Sequence, residues 1–453
     1  MSDTIDAACR GLSEDLLGLV SLPGDGRYAA ATSIWAKQVG VTPGAVVHCR
    51  TARDVQDAIR AARERELPLS VRGGGHDWAG RALCDGLVID LSGMRSVVLS
   101  PDRSSATIGG GARAADVVAV TDPHGLAVVA GSVSSVGIAG LTLGGGYGPL
   151  IGRFGLAIDN MLAAEVVLAD GRIVHADSET NPDLFWALCG GGGNFGVVTA
   201  MRHRVHELPS VHSGMLVYPF SEAHGVLERC SALMAEAADE LTVQHTLMAD
   251  PSGAMLVLVV PTWSGRPEEG EARLRPFTRL GTLLAGGIER KSYGALLGMF
   301  DPYIANGLQT VMDSCWLPSL DRNAIDAFVY AMENTVSPGC AIITHEFRGA
   351  ASSVTEAATA FGLRRDHLLV EILASFPDQS DAGDMPRHRN WMHATREAFA
   401  AALPGGYPNF LGKDELDRAR QSYGGNAGRL MEIKHRYDPD NVFSSAIPLP
   451  RSA

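Results

Sequence analysis

The chain contains no run of 18 apolar residues, about the length a helix needs to cross a bilayer, so no transmembrane segment is expected. It has no surplus of positive charge either. Its 38 Lys and Arg stand against 51 Asp and Glu, a formal net charge of −13, which argues against a nucleic-acid footprint and an anionic membrane surface. Seven cysteines (Cys9, Cys49, Cys84, Cys189, Cys230, Cys315, Cys340) are scattered, odd in number and without C-x-x-C spacing. They offer neither a zinc site nor a disulfide framework and suit a reducing cytoplasm; no metal is expected. Met1 to Arg10 is polar and acidic, unlike a secretory signal. No internal repeat or low-complexity tract is visible.

Glycine, by contrast, is abundant. The 52 glycines are clustered instead of spread as in a linker, and clustered glycine means close backbone approach or positive φ. A chain of 453 residues exceeds one ordinary core, so two domains are expected. In the first part, residues 51–65 carry Val55, Ala58, Ile59 and Ala62 at helical spacing, with Thr51 and Asp54 placed for a capping box. A strand, Leu67 to Val71, leads into Arg72-Gly73-Gly74-Gly75-His76. Strands are also expected at Leu87–Leu91 and Ala106–Ile108, and a helix at Ala114–Ala119. Asp170-Gly171 marks a hairpin between Leu162–Leu168 and Arg172–His175. Asn181-Pro182 caps a helix running to Cys189, and Val197 to Glu207 reads as a strand leaving the domain. From 208 to 404 the glycine clusters vanish. Strands at Met215–Tyr218, Met255–Val260, Ala341–Thr344 and Leu368–Phe376 alternate with helices at 323–334 and 393–402, which suggests an antiparallel sheet. A last helix is expected at Arg429–Tyr437.

Four segments carry the chemistry: 72–80 (RGGGHDWAG), 131–148 (GSVSSVGIAGLTLGGGYG), 190–197 (GGGGNFGV) and 407–409 (YPN). Glycine turns whose N–H groups converge form an anion nest suited to a pyrophosphate. One such cluster is ordinarily only a tight turn. Three of them, one ending in a histidine, point to a dinucleotide site, although none gives the G-x-G-x-x-G of a Rossmann unit.

These segments, with the SVGIAG–LTLGGGYG–PLIGRFGLAIDNML stretch, DLFWALCGGGGNFGVVT and the C-terminal RLMEIKHRYDPDNVF, resemble the FAD-linked oxidases of the berberine-bridge-like group in the vanillyl-alcohol-oxidase superfamily. The resemblance runs in order through residues ~30 to 206 and from ~390 onward. It implies an α+β, two-domain fold of the vanillyl-alcohol-oxidase (PCMH) type. Residues 1–207, completed by 405–453, would bind FAD, and 208–404 would form a substrate domain with an antiparallel sheet. It further implies that His76 bonds covalently to the flavin. Around it, Arg72, Gly73, Gly74, Gly75, Asp77, Gly80, Ser132, Val136, Gly137, Gly140, Gly144, Gly145, Gly146, Tyr147, Gly148, Asn160, Gly196, Val197 and Asn409 would hold the cofactor. Many relatives add a second link through a cysteine where this chain has Val133, so a single link is expected. Val136 matches a position where a small branched residue goes with reactivity toward oxygen.

The reaction implied is hydride transfer from a small alcohol or amine to FAD, with molecular oxygen reduced to hydrogen peroxide. A base that takes the substrate's O–H or N–H proton would assist. Tyr407 serves either as that base or as an orienter of substrate. In Ile343-Thr344-His345-Glu346-Phe347, Thr344 and Glu346 share one face. Glu346 is read either as a base or amine-binding carboxylate, with His345 pointing away, or as a solvated surface residue. Trp78, Tyr147, Tyr303 and Trp316 are aromatic candidates for a ligand wall. Two other functions stay open, a flavin-dependent oxygenase or oxidative cyclase and a non-catalytic flavin-binding protein. Substrate and oligomeric state are not fixed by the sequence.

Overall fold

The computed structural model describes Cys9, Leu12, Leu16 and residues 18–38, 40–304, 306–377 and 384–450; apart from Cys9, the reading of Met1–Arg10 lies outside them. Helix Ala52–Glu64 forms where the pattern predicts it. The Asp54 N–H donates to the Thr51 hydroxyl, and the Asp54 carboxylate accepts the Thr51 N–H at 2.9 Å. Such a cap contributes about 1 kcal/mol. Val55, Ala58, Ile59, Ala61 and Ala62 pack against a four-stranded sheet. Its strands lie in the order Val20–Ser21, Ala45–His48, Leu87–Asp90, Leu69–Arg72, the last three mutually parallel. The helix therefore feeds a parallel strand whose carboxyl end delivers the Gly73–His76 loop.

A second sheet is antiparallel, in the order Val97–Leu99, Ser105–Gly109, Val197–Arg204, Met161–Val167, Ile173–Asp177. Val197–Arg204 lies at its centre, pairing on both sides, and the chain runs on from it through His206–Glu207 to Val211–Ser213 of the third sheet. The Asp170-Gly171 hairpin forms as predicted. Helix Pro182–Gly191 also forms, but Asn181 sits at φ 48° and makes no side-chain cap. Its amide is spent on the His175 carbonyl (2.7 Å), which ties the helix start to the hairpin.

The third sheet has eight antiparallel strands. Along its main path they run Glu289–Lys291, Val211–Ser213, Met255–Trp263, Leu241–Ala249, Cys340–Phe347, His367–Phe376, Gln309–Leu317, while Leu216–Pro219 also pairs with Met255–Trp263. Leu241–Ala249 and Gln309–Leu317 escape the sequence reading because both faces are largely covered, which blurs the apolar/polar alternation. Helices Ala223–Met234, Arg322–Glu333 and Asp384–Glu397 cover one face, joining Cys230, Phe328 and Trp391 to Leu247, Ile342 and Ile372 in one core. The last of these starts nine residues before the expected 393, since its first two turns are polar and carry no apolar period. The sheet's other face is turned toward the glycine loops. The mixture of helices with separate, mainly antiparallel sheets makes the fold α+β, as expected. Among the described residues no helix is long and apolar enough to cross a membrane, and no cluster of side chains suited to a metal occurs.

Candidate active site

One cavity of about 490 Å³ runs from the glycine loops to the open face of the eight-stranded sheet. Gly73, Gly74, Gly75, His76 and Asp77 line it, with Ser132, Val133, Val136, Gly137, Gly140, Gly196 and Val197 from the other two glycine segments. The first two loops meet backbone to backbone. A Cβ on Gly74 would lie 2.4 Å from the Gly137 Cα, and one on Gly137 would lie 2.5 Å from the Gly74 nitrogen. Side chains at either position would force the loops apart. Among the described residues, the N–H groups of Gly74, Gly75 and His76 donate to no backbone or side-chain acceptor of the protein. Converging, unspent donors of this kind suit a pyrophosphate.

His76 stands in this wall with its ring stacked on Trp35, centroids 4.6 Å apart and planes within 5°. The Trp35 N–H donates to the Gly75 carbonyl and the Ala36 N–H to the Asp77 carbonyl, so a segment far from the loop in sequence clamps it. Burial pushes the imidazole down to about 4, the Glu371 charge opposing and Arg113 adding to the effect. The ring is therefore neutral at pH 7, with a free lone pair, which is the state a nucleophilic imidazole requires.

Several expected residues lie outside the cavity wall. Arg72 is buried behind the loop, its guanidinium packed against Gly75 and 2.9 Å from Asp90. Gly80 makes a turn against Gln38. Gly144, Gly145 and Gly146 lie behind the wall, where side chains would strike Asn409, Tyr407 and Ala157, and Gly148 abuts the Ala130 carbonyl. The Asn160 amide nitrogen donates to the Phe154 and Leu156 carbonyls, and its oxygen accepts from His206 Nε2. Asp77 does line the cavity, but its carboxylate is spent on the Ala79 and Ala82 N–H groups.

Tyr407 and Asn409 are brought to the cavity by the C-terminal segment. The Asn409 carbonyl receives the Trp78 indole (2.9 Å) and Arg81 (3.0 Å), and its side-chain amide donates to the Gly140 carbonyl. That network docks Tyr407-Pro408-Asn409 onto the histidine loop. The Tyr407 phenol oxygen accepts the Gly146 N–H at 2.7 Å. Burial raises its pKa well above the ordinary value, and the Gly146 contact offsets this only in part.

The expectation for Glu346 is corrected. His345 faces the cavity, together with Ala341 and Ile343 of the same strand. Glu346 lies on the opposite face, paired in register with Leu368 of the helix-covered core. Thr344 on that face is spent on His245 (2.8 Å). One Glu346 carboxyl oxygen has no partner, and burial raises the group to about 7. The alternation was right and the choice of face was not.

A carboxylate does reach the cavity, from the next strand. Glu371 is 5% exposed, accepts the Tyr147 hydroxyl, and lies 2.9 Å from His345 Nε2. The Tyr147 and Tyr407 rings meet edge to face at 5.1 Å. Tyr147, Tyr407, His345 and Glu371 thus form one polar cluster where the glycine loops meet the sheet. Burial, then Glu371, hold the Tyr147 proton on its oxygen. Glu371 carried a signal that went unused, since it is the only acidic residue between Leu368 and Phe376. Trp78 and Tyr303 also line the cavity, whereas Trp316 is buried in the core beside it. Trp35 and the tail residues Phe443 and Ser445 to Ile447, which complete the wall, had no signal in the sequence.

Fold and cavity together define a flavoenzyme-like architecture. Residues 43–177 match the model of an FAD binding domain, and 406–450 the model described as berberine and berberine like. The (R)-6-hydroxynicotine oxidase of Paenarthrobacter nicotinovorans is 30% identical, over 94% of this chain and 95% of its own. An uncharacterized FAD-linked oxidoreductase of Bacillus subtilis is 30% identical, over 97% and 99%. The crystal structure of 6-hydroxy-D-nicotine oxidase from Arthrobacter nicotinovorans superposes with a TM-score of 0.85 at 28% identity, over 94% of this chain and 96% of that one. The BBE-like 1 protein of Physcomitrella patens has the same fold, with a TM-score of 0.86 at 23% identity, over 97% and 100%. The chain belongs to the berberine-bridge-like family of FAD-linked oxidoreductases.

Proposed function

We propose that this enzyme oxidises a small alcohol or amine, using FAD held by a single covalent bond to His76, and passes the electrons to molecular oxygen to give hydrogen peroxide. Residues 1–207 and 405–453 make the cofactor half and 208–404 the substrate half. The observation that carries this reading is the continuity of one cavity from a neutral imidazole and unspent backbone N–H groups to the Glu371 carboxylate. The fit to FAD is in the donors: a nest for the pyrophosphate, and His76 as the nucleophile. Among the described residues no cysteine lines the cavity, and Val133 stands on its wall, which supports a single link. When bound, FAD supplies the two-electron acceptor for substrate and the donor for oxygen.

The chain's own groups divide the remaining work. Glu371 takes the substrate's O–H or N–H proton, and Tyr147 and His345 fix the orientation of its carboxylate. Tyr407, with its proton held by burial and its oxygen already receiving the Gly146 N–H, donates to the substrate heteroatom and orients it. Val136 lines the cavity and leaves room for oxygen.

The test has two parts. Protein precipitated with acid should stay yellow, and its His76 peptide should carry the flavin mass; a colourless precipitate removes the covalent link. Under anaerobic conditions a substrate should bleach the flavin, and air should restore the colour with one peroxide per substrate. Oxygen incorporated into product in place of released peroxide would overturn the oxidase reading.

A further inference from the structure

The register of the eight-stranded sheet sorts the substrate half of the cavity into rows. In the first, Gln244 pairs with His345; in the next, Thr246 pairs with Ile343 and Ile343 with Glu371. In the third, Met248, Ala341, Leu373 and Met312 stand side by side across four strands. Beyond them the Ser375 hydroxyl is engaged with Thr310 at 2.9 Å. All the sheet residues of this gradient except Thr310 line the cavity. Polarity therefore falls steeply along one direction, from a row with hydrogen-bonding capacity to a row with none.

Charge sharpens the gradient. Among the described residues, the only Lys or Arg of the wall is Arg81, and both its terminal nitrogens go to the carbonyls of Asn409 and Leu411. The substrate half thus holds one carboxylate, already 2.9 Å from His345, and no Lys or Arg. A carboxylate or phosphate on the substrate would be desolvated without a partner. A sugar would meet the Met248–Met312 row with its hydroxyls unpaired. Methionine suits a different occupant, since its flexible thioether adapts to apolar shapes and packs on aromatic rings; Met215 adds a third methionine to the wall.

We infer that the substrate is an amphipathic molecule with one reactive hydroxyl or amino group at an otherwise apolar, uncharged body, such as an aryl or fused-ring alcohol or amine. The reactive group lies at the Glu371–His345–Gln244 end and the body on the Met248–Leu373–Met312 row. This rests on the reading above, that the cavity is where substrate meets cofactor.

The experiment uses the flavin-loaded enzyme without oxygen and three probes: 1-(2-naphthyl)ethanol, its 6-carboxylate, and cellobiose. Binding is read from the perturbation of flavin absorbance and turnover from bleaching. The naphthyl alcohol should bind at least about tenfold more tightly than the carboxylate, the cost of an unpartnered charge, and cellobiose more weakly still. Equal or tighter binding of either polar probe, or no binding of the naphthyl alcohol up to its solubility, overturns the inference. Met312→Arg, in protein that retains its flavin, should reverse the order of the two naphthyl probes; an unchanged order also overturns it. Binding in the expected order without bleaching by any probe supports the substrate class while counting against the oxidase reading. Bleaching by cellobiose alone does the reverse.

Discussion

The two ends of the cavity are built on different principles. At the cofactor end, backbone makes the surface: loops abut through glycines, N–H groups are left without acceptors in the protein, and the one prominent side chain is His76. At the substrate end, side chains make the surface, and which of them do so depends on which face of each strand is turned inward. The first kind of site tolerates almost no substitution but leaves a mark in the local sequence. The second can be re-cut residue by residue and leaves almost none.

Substitutions at five positions would break or sharpen this contrast. The largest effect is expected from His76→Ala, which should abolish acid-stable flavin completely, as read by absorbance of the precipitate. Next, Gly74→Ala should drive a methyl into the Gly137 backbone at a cost of roughly 3 kcal/mol. Thermal unfolding and flavin content should fall together. At the other end, Glu371→Gln should slow anaerobic flavin reduction by about 100-fold with flavin content unchanged, while Glu346→Gln leaves the reduction rate within about twofold. Equal losses in both would undo the assignment of faces. A smaller effect is expected from Trp35→Ala. Loss of one aromatic stack, about 1 kcal/mol, should slow covalent attachment about fivefold in reconstituted apoprotein, with Trp35→Phe restoring most of the rate.

Glu346 also predicts a pH dependence. Its folded value of about 7 lies above that of an unfolded glutamate, so the folded state holds its proton longer. Below the unfolded value both states are protonated and nothing is lost. As pH rises from there through 7 the native state loses stability, on the order of 3 kcal/mol once both states are ionised. Glu346→Gln should therefore raise the melting temperature at pH 8 and leave it unchanged near pH 4.

The sequence made the cofactor end legible because a close backbone approach demands glycine at that position and no other. RGGGH, SVSSVG and GGGGNFG could be read once they stood together, and the helix before the first loop announced itself through Thr51 and Asp54. The substrate end resisted for a physical reason. Alternation along Ile343 to Phe347 shows which residues share a face, but both faces of that strand are covered, one by helices and one by the cavity wall. Polarity then misleads, since Thr344 is consumed by His245 inside the core and the half-buried Glu346 lies on the face away from the cavity, one carboxyl oxygen without a partner. Glu371 and His345, which do face the cavity, belong to different strands, and only the register brings them to 2.9 Å. Likewise nothing near Arg72 shows that Asp90, one strand away, holds its guanidinium behind the loop it introduces.

The cavity wall draws on Trp35 near one end of the chain and on Phe443 and Ser445 to Ile447 near the other. A ribosome making this protein has to release residue 447 from its exit tunnel before the pocket has all its sides. Loading of the flavin then waits for those residues, and a protein stalled or clipped short of them would carry the His76 loop intact and still lack one side of the pocket.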